Sequence, residues 1–372
     1  MLRNFNALNA ALLCAQVLTL PLWAVPVFQV QSIGPAGVPS TATAISGTGA
    51  VVGNYQQPDG TNRAFLWQNG QVTTLTMPAG SVQTWATAIG GTSQAGGYTD
   101  SQQLAQGVIW DNIGNPIGSA GAYVMGMNSA GDAAGMAIGS DGAGYAFVSR
   151  NGFLTSLGQP GGGDWSSANA INNSGAAAGT AMNSAGYFQA FRATADGGIA
   201  LLTALGGANS YGMAINGNGA VAGHSQTATG ALRATVWNGT TGTGLGTLGG
   251  VNSYAYAINA AGQVAGYSDL PGGAGTAAFL YDSGVLYDLN SLITPGSQWQ
   301  LLAAYGMNDS GQIVGRGRFN GQEQAFLLSP SLPITVPYSL AANAETSTPE
   351  PASLWMVGVP VLAYFALRAR HQ

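Results

Sequence analysis

The sequence predicts an all-β fold, a seven-bladed β-propeller of four-stranded repeats closed by an N-terminal strand. Three observations predict it. First, a phrase built on Ala-x-Ile-Asn-x-x-Gly-x-x-x-Gly recurs seven times, anchored at Ile45, Ile89, Met127, Ile171, Ile215, Ile258 and Met307, with spacings of 44, 38, 44, 44, 43 and 49 residues. Such a period marks one supersecondary unit copied along the chain, each copy burying its apolar face against its neighbours. Second, each copy holds short apolar runs bounded by Asn and Gly, a pattern of strands rather than helices; four strands in roughly 40–45 residues is the size of a propeller blade. Third, the seventh copy runs into a Pro-rich segment after Gln324–Leu328, so its fourth strand is missing, while Phe28 to Gly34 stands ahead of the first copy as an unassigned strand. Placed in the last blade, it would complete the array and protect its edges. A β-solenoid is the alternative, because Gly- and Asn-rich turns suit it too, but it would not require a split repeat.

Taken in chain order, residues 1–24 read as a secretory signal peptide: Arg3 near the start, an apolar stretch from Ala7 to Ala24, and Ala24 as the cleavage residue. The one cysteine, Cys14, follows Leu13 rather than the small residue a lipid-acceptor site requires. The mature chain then has no thiol, so packing rather than disulfides must stabilise it. Residues 25–330 form the repeat domain, 331–348 a Pro/Ser/Thr-containing linker, and 349–372 a terminal signal.

Within the repeat domain the fifth copy is the template. A strand from Tyr211 to Asn216 leads through Asn216-Gly-Asn-Gly219 into a second from Ala220 to His224. Asn bonds its own backbone and Gly supplies positive φ, which is hairpin chemistry. A variable loop, the strand Arg233–Trp237, an Asn238-Gly239 turn and a Gly-rich stretch ending at Gly250 complete the copy. The second half recurs as Arg63–Trp67 with Asn69-Gly70, Ala146-Phe147 with Asn151-Gly152, and Ala278–Tyr281 with Ser283-Gly284. On this reading the tight turns share one face of the ring, and longer loops, between second and third strands and between blades, share the other.

Two resemblances follow from motifs. Pro349-Glu350-Pro351, an uncharged run from Leu354 to Leu367 and Arg368-Ala-Arg370 together resemble the PEP-CTERM sorting signal of Gram-negative bacteria, with Thr348 where the family usually has Val. The resemblance implies recognition and cleavage by an exosortase-type enzyme after transient membrane insertion. Physically, the prolines keep the motif extended and the arginines stay cytoplasmic. Fourteen helical residues span about 21 Å, short of a hydrocarbon core of roughly 30 Å, and Pro360 weakens the helix further. The repeats, over roughly residues 40–330, resemble the HAF family of extracellular repeats through Ala-Ile-Asn at 214–216 and 257–259, Ala-Phe at 64–65, 146–147, 190–191, 278–279 and 325–326, and Leu-Gly-Gly at 205–207 and 248–250. This implies an exported repeat protein and supplies no catalytic residue. The second and third copies depart most, with Gly90 in place of Asn.

Charge narrows the function. Only 6% of the chain is charged, its net charge is -5, and all nine basic residues are Arg. With no basic stripe to track phosphates, nucleic acid is not an expected partner. No Gly-x-Ser-x-Gly elbow occurs, and between the terminal signals His224 is the one histidine; the position is Tyr267 and Arg316 in the next copies, so His224 reads as a loop or rim residue. No catalytic residue, metal site or cofactor is expected. Asp59, Asp100, Asp141, Asp196 and Asp269 read as turn formers, although a glycosidase needs only two carboxylates at a suitable distance. At or near the start of the first strands stand Trp85, Tyr123, Trp165, Tyr211, Tyr254 and Trp299. They either pack blade against blade or ring one mouth of the propeller, where flat aromatic faces suit neutral polysaccharide. The expected role is structural or adhesive, at the cell surface or in an exopolysaccharide matrix; the alternative is a secreted polysaccharide-active enzyme using loop carboxylates.

Overall fold

Hairpin chemistry sets the strands. A computed structural model describes residues 28–331 except 92, 103, 111–121 and 152. The signal peptide, the sorting motif Pro349-Glu350-Pro351 and the basic tail Arg368/Arg370 lie outside the described residues. Among those residues there is no α-helix, only two 3-10 turns at Pro271–Gly273 and Leu289–Leu292, and no helix long and apolar enough to cross a membrane. The fifth copy forms an antiparallel sheet of Gly206–Ile215, Val221–Thr227, Leu232–Trp237 and Gly242–Gly244 in that order. The other copies repeat the order, and a parallel pairing of Gly144 with Trp165 joins the third and fourth. The second copy contributes three strands, Ser81–Gly90, Ser93–Asp100 and Ala105–Trp110.

Local chemistry explains the turns and corrects two expectations. Asn69 and Gly70 both have positive φ (53° and 78°), as do Ser283 and Gly284 (49° and 90°), the two-residue geometry that matches strand twist. Asn238-Gly239 does not follow suit: neither residue has positive φ, and the fourth strand there shortens to Gly242–Gly244. The connections between second and third strands, expected to be long, are in the first five copies short turns closed by the same bonds as Asn-x-x-Gly; the sixth instead runs through the 3-10 turn Pro271–Gly273, and the seventh is the two-residue turn Asn320-Gly321. In the fourth copy Asn183 N–H donates to Tyr187 O (2.8 Å) and Gly186 N–H to Asn183 O (2.9 Å).

The recurring glycine of the second strand is a packing requirement. Gly53, Gly135, Gly179, Gly266 and Gly315 lie in register with Phe65, Phe147, Phe191, Phe279 and Phe326 of the third strand. At Gly179 an added Cβ would stand 2.6 Å from Phe191 Cζ and 2.1 Å from Ser167 O. Each Phe ring therefore lies across the sheet where a side chain would be, and all five are fully buried. Burial of that kind contributes about 2–3 kcal/mol per ring. The first strand bulges opposite this site in every copy, at Thr43, Thr87, Met125, Asn169, Met213, Tyr256 and Tyr305. The bulge adds the extra residue that bends the strand.

Copies are joined by three sets of polar staples. The repeat Asn closes its own turn with Oδ1 and reaches the next copy with Nδ2: Asn128 donates to Asn172 O (3.1 Å), Asn172 to Asn216 O (2.8 Å) and Asn216 to Asn259 O (3.0 Å). Asn308 donates to Ser46 O of the first copy (3.0 Å). First-strand hydroxyls accept from the alanine N–H of the preceding Ala-Phe or Ala-Thr pair, as at Ala190 N to Ser210 Oγ (3.0 Å) and Ala325 N to Ser40 Oγ (3.0 Å). Arginines reach carbonyls of the next copy, Arg150 to Gly175 O (2.6 Å) and Arg192 to Gly219 O (3.0 Å). A guanidinium presents several fixed donors, which suits it to this bridging better than an ammonium.

First strands of successive copies touch in order, and Trp299–Met307 touches Ser40–Ile45. Phe28–Ser32 pairs antiparallel with Gln322–Pro330, with Phe28 opposite Pro330 and Ser32 opposite Phe326. It occupies the place left open in the seventh copy. Apolar clusters fill the spaces between adjacent sheets; one joins Ile33, Ala42, Val51 and Phe65 to Val314, Ala325 and Leu327.

Candidate functional site

The six aromatic candidates do not form one exposed ring. Trp165 and Tyr123 are 1% and 6% exposed and cluster with Met136, so they offer no face to a ligand. Trp85 lies over Gly97, whose added Cβ would meet its Cζ2 at 2.5 Å. Tyr211 and Tyr254 belong to a row that runs across copies. Trp165 meets Phe188 edge-on (5.5 Å between centroids), Phe188 meets Tyr211 (5.5 Å), Tyr211 stacks on His224 (4.8 Å), and His224 meets Tyr254 (5.1 Å). Tyr254 stacks on Tyr267 (4.8 Å), and Tyr256 stacks near Tyr267 (5.8 Å) and meets Tyr305 edge-on (5.4 Å). Aromatic pairs at these separations add cohesion beyond area burial. These residues pack copy against copy, because the start of each first strand faces the preceding sheet.

His224 is not a rim residue. It sits in the strand Val221–Thr227 and is 8% exposed, and burial pushes its imidazole down to about 3. Held neutral between two tyrosine rings, it cannot take up a proton near neutral pH. Four of the five carboxylates form turns, as the sequence suggested; Asp269 instead ends the strand Val264–Asp269 and ties it to Asn252 ahead of the first strand. Asp59 accepts from the Thr61 hydroxyl, Asp141 from the Tyr145 hydroxyl and Asp196 from the Thr194 hydroxyl, and these bonds hold each below the usual carboxylate range. Asp100 accepts from Gln102 and Leu104 N–H, and Asp269 from Asn252. A general acid needs the opposite shift. Among the described residues no group of three or more His, Cys, Asp or Glu could hold a metal ion.

Trp299 borders an open groove of about 470 Å³, lined also by Gln29, Val30, Ser32, Thr294, Ser297 and Phe319. Three parts of the chain build it: the N-terminal strand, the connection into the seventh copy, and the end of Ile313–Phe319. Pro295-Gly296 turns the connection, with Ser297 N–H donating to Thr294 O (3.1 Å) and Gly296 at φ 77°. Gln298 then adopts φ 64° and its carbonyl accepts from Asn320 N–H (3.2 Å), which delivers Trp299 into the sheet. The indole tilts against Phe319 (5.2 Å, 30°) and meets Phe326 edge-on (6.3 Å, 78°). Sequence reading found Trp299 but not its partners, which share no local motif; Pro-Gly just ahead of the Trp was the available signal. A second cleft of about 270 Å³ lies between the fifth and sixth copies, lined by Asn216, Asn218, Asn238, Thr243 and Tyr281 among others.

No protein-family model matches the chain, and no curated protein matches its sequence. Solved structures do match in fold. The β-propeller domain of the Trilobed protease from Pyrococcus furiosus, described as having an open velcro topology, aligns with a TM-score of 0.50 at 9% identity, over 78% of this chain and 95% of that one. The BP39L lectin from Burkholderia pseudomallei aligns at 0.43 and 11% identity, over 79% and 97%. A puromycin-hydrolyzing peptidase from Mycobacterium tuberculosis aligns at 0.47 and 13% identity over 79% of this chain, which spans about half (52%) of the peptidase. The protein is thus all-β and similar in fold to β-propeller proteins, a likeness that shows architecture alone.

Proposed function

We propose that the chain is an exported seven-bladed propeller, closed by Phe28–Ser32, that serves as a binding or structural component of the cell surface or exopolysaccharide matrix. Pro349-Glu350-Pro351 and the tail with Arg368 and Arg370 would direct it to an exosortase-type enzyme. The ordered contacts of the first strands, and the pairing of the first strand with the last, support the closed seven-bladed reading. The observation that carries the binding role is how polar groups are used. Repeat asparagines and arginines staple neighbouring copies, loop carboxylates are tied into turns, and among the open clefts is an uncharged groove floored by aromatic rings. Such a surface holds a ligand by shape, stacking and hydrogen bonds.

The test is incubation of the purified exported protein with a panel of bacterial exopolysaccharides, following retention and chain length together. Retention of an intact glycan supports the reading. Shortening of any glycan makes the protein an enzyme and directs attention to the loop aspartates; absence of retention across the panel refutes the glycan-binding role.

A further inference from the structure

We infer that the groove over Trp299 and Phe319 is a binding site for a short, uncharged glycan segment; this rests on the matrix-binding reading above and gives it an address. The treatment of the indole N–H is the first argument. Trp110 and Trp237 donate theirs to Thr76 O (2.6 Å) and Thr203 O (2.9 Å), as buried structural tryptophans do. The N–H of Trp299, like those of the half-buried Trp67 and Trp85, meets no acceptor among the described residues, but of these three rings it is the one that borders the groove. Gln29, Thr294 and Ser297 around it likewise make no side-chain hydrogen bond among the described residues, so amide and hydroxyl groups are free to meet sugar hydroxyls.

The ring is also fixed before a ligand arrives. Gly317 lies beneath it, where an added Cβ would stand 3.2 Å from Trp299 Cε3. With Phe319 and Phe326 on its other sides, the indole has little freedom left to lose on binding, which is how preorganisation favours affinity. Backbone strain points to the same place. Of the non-glycine residues with positive φ, Asn69, Asn151, Ser283 and Asn320 each precede a Gly in the sequence, whereas Gln298 precedes Trp299. Strained backbone tends to persist at ligand sites, where the surrounding structure enforces it.

Charge and size select the ligand. No ionisable side chain lines the groove. Arg318 is adjacent to Phe319 in the strand Ile313–Phe319, and strand alternation sends successive side chains to opposite faces. An acidic polymer would therefore find no cation, and a basic peptide no carboxylate. A pyranose offers an apolar C–H face for the indole and hydroxyls for the rim, and the volume falls in the range of small-molecule sites.

The experiment is affinity electrophoresis of the exported protein through gels containing dextran, xyloglucan or galactomannan, with the bacterial panel in parallel. Wild type should be retarded by at least one neutral glycan. Trp299→Ala should weaken that retardation at least tenfold, Trp299→Phe less, and Phe153→Ser, which removes an aromatic 79% exposed elsewhere, should leave it unchanged. Should Trp299→Ala fail to fold, Ser297→Phe fills the groove with the indole in place and should abolish retardation. Retardation unaffected by Trp299→Ala or by Ser297→Phe overturns this site and leaves the matrix-binding reading standing. Loss of retardation in Phe153→Ser as well would assign binding to general aromatic adhesion, also overturning the site. A wild type retarded by no glycan overturns both.

Discussion

Asn216→Ala is the sharpest probe of how successive copies are held together. Asn216 is 6% exposed and makes three bonds from one side chain. Oδ1 accepts from Asn218 N–H (3.1 Å) and Ala220 N–H (3.0 Å), and Nδ2 donates to Asn259 O in the next copy (3.0 Å). Alanine leaves the Ala220 N–H buried without its acceptor, a penalty of about 1–3 kcal/mol, and forfeits two further bonds of about 0.5–1 kcal/mol each. Asn259 O keeps its bond from Gly262 N–H (3.0 Å), which limits the damage on that side. The sum is about 3 kcal/mol, or a melting temperature lower by about 6 °C for a domain of this size. Equilibrium urea unfolding followed by circular dichroism measures it. Asn216→Asp separates turn from staple, since it keeps both turn bonds but turns an acceptor toward Asn259 O. If the staple matters, Asp costs about as much as Ala at pH 7. Asn259→Ala should cost less, because its Nδ2 bonds Gln263 Oε1 in its own turn (2.7 Å) rather than the next copy. A loss below about 1 kcal/mol for Asn216→Ala, or an Asp variant as stable as wild type, would refute the reasoning.

Other predictions follow from the same geometry. Gly179→Ala drives a methyl into Ser167 O and Phe191 and should cost about 3 kcal/mol or more, whereas Gly217→Ala, with nothing within 4 Å of the new carbon and no positive φ, should change stability by less than about 1 kcal/mol; paired denaturation curves check both. His224 has its folded value depressed to about 3 from an ordinary 6.5, so the unfolded chain takes up the proton first as pH falls. Its contribution is complete above about pH 6.5 and drains away between 6.5 and 3, about 2–3 kcal/mol by pH 4.5. His224→Phe keeps the stack and should flatten that part of the stability–pH curve; an unchanged slope would count against it. Gln298→Gly removes the left-handed penalty of about 1 kcal/mol against a comparable gain in unfolded-state freedom, so it should be neutral within about 0.5 kcal/mol, while Gln298→Val should destabilise by more than about 1 kcal/mol; thermal melts distinguish the two.

Much of the architecture was legible because a repeat states each local rule several times. Asn-x-x-Gly specified its turn at 128, 172, 216, 259 and 308 whatever surrounded it, since the side chain bonds the backbone four residues on, and in all but Asn259 two residues on as well. The spare strand at Phe28 was visible because the seventh copy stops one strand early. What misled the reading was the environment of single side chains. His224 looked like a rim residue because its position varies among copies, yet it varies within an aromatic row, where Tyr267 serves as well. The loops between second and third strands looked long because their residues differ, yet in the first five copies they close with one hydrogen-bond pattern that several sequences satisfy.

By itself the sequence determined the period, the strand polarity and the turn chemistry, since these depend on interactions within about five residues and survive in any context. It also determined that charge is scarce, and so which ligands have nothing to bind. Which aromatics are buried and which stay open was set by packing between distant parts of the chain. Trp165 and Trp299 hold similar places in their copies; Trp165 is enclosed by Tyr123, Met136 and Phe188, while Trp299 lies where the first strand and the last copy meet and leave a groove. That difference arises from residues some 270 positions apart in the chain, Gln29 to Trp299, brought together by the pairing of Phe28–Ser32 with Gln322–Pro330. No local pattern encodes such a meeting, because it depends on the whole intervening chain folding first.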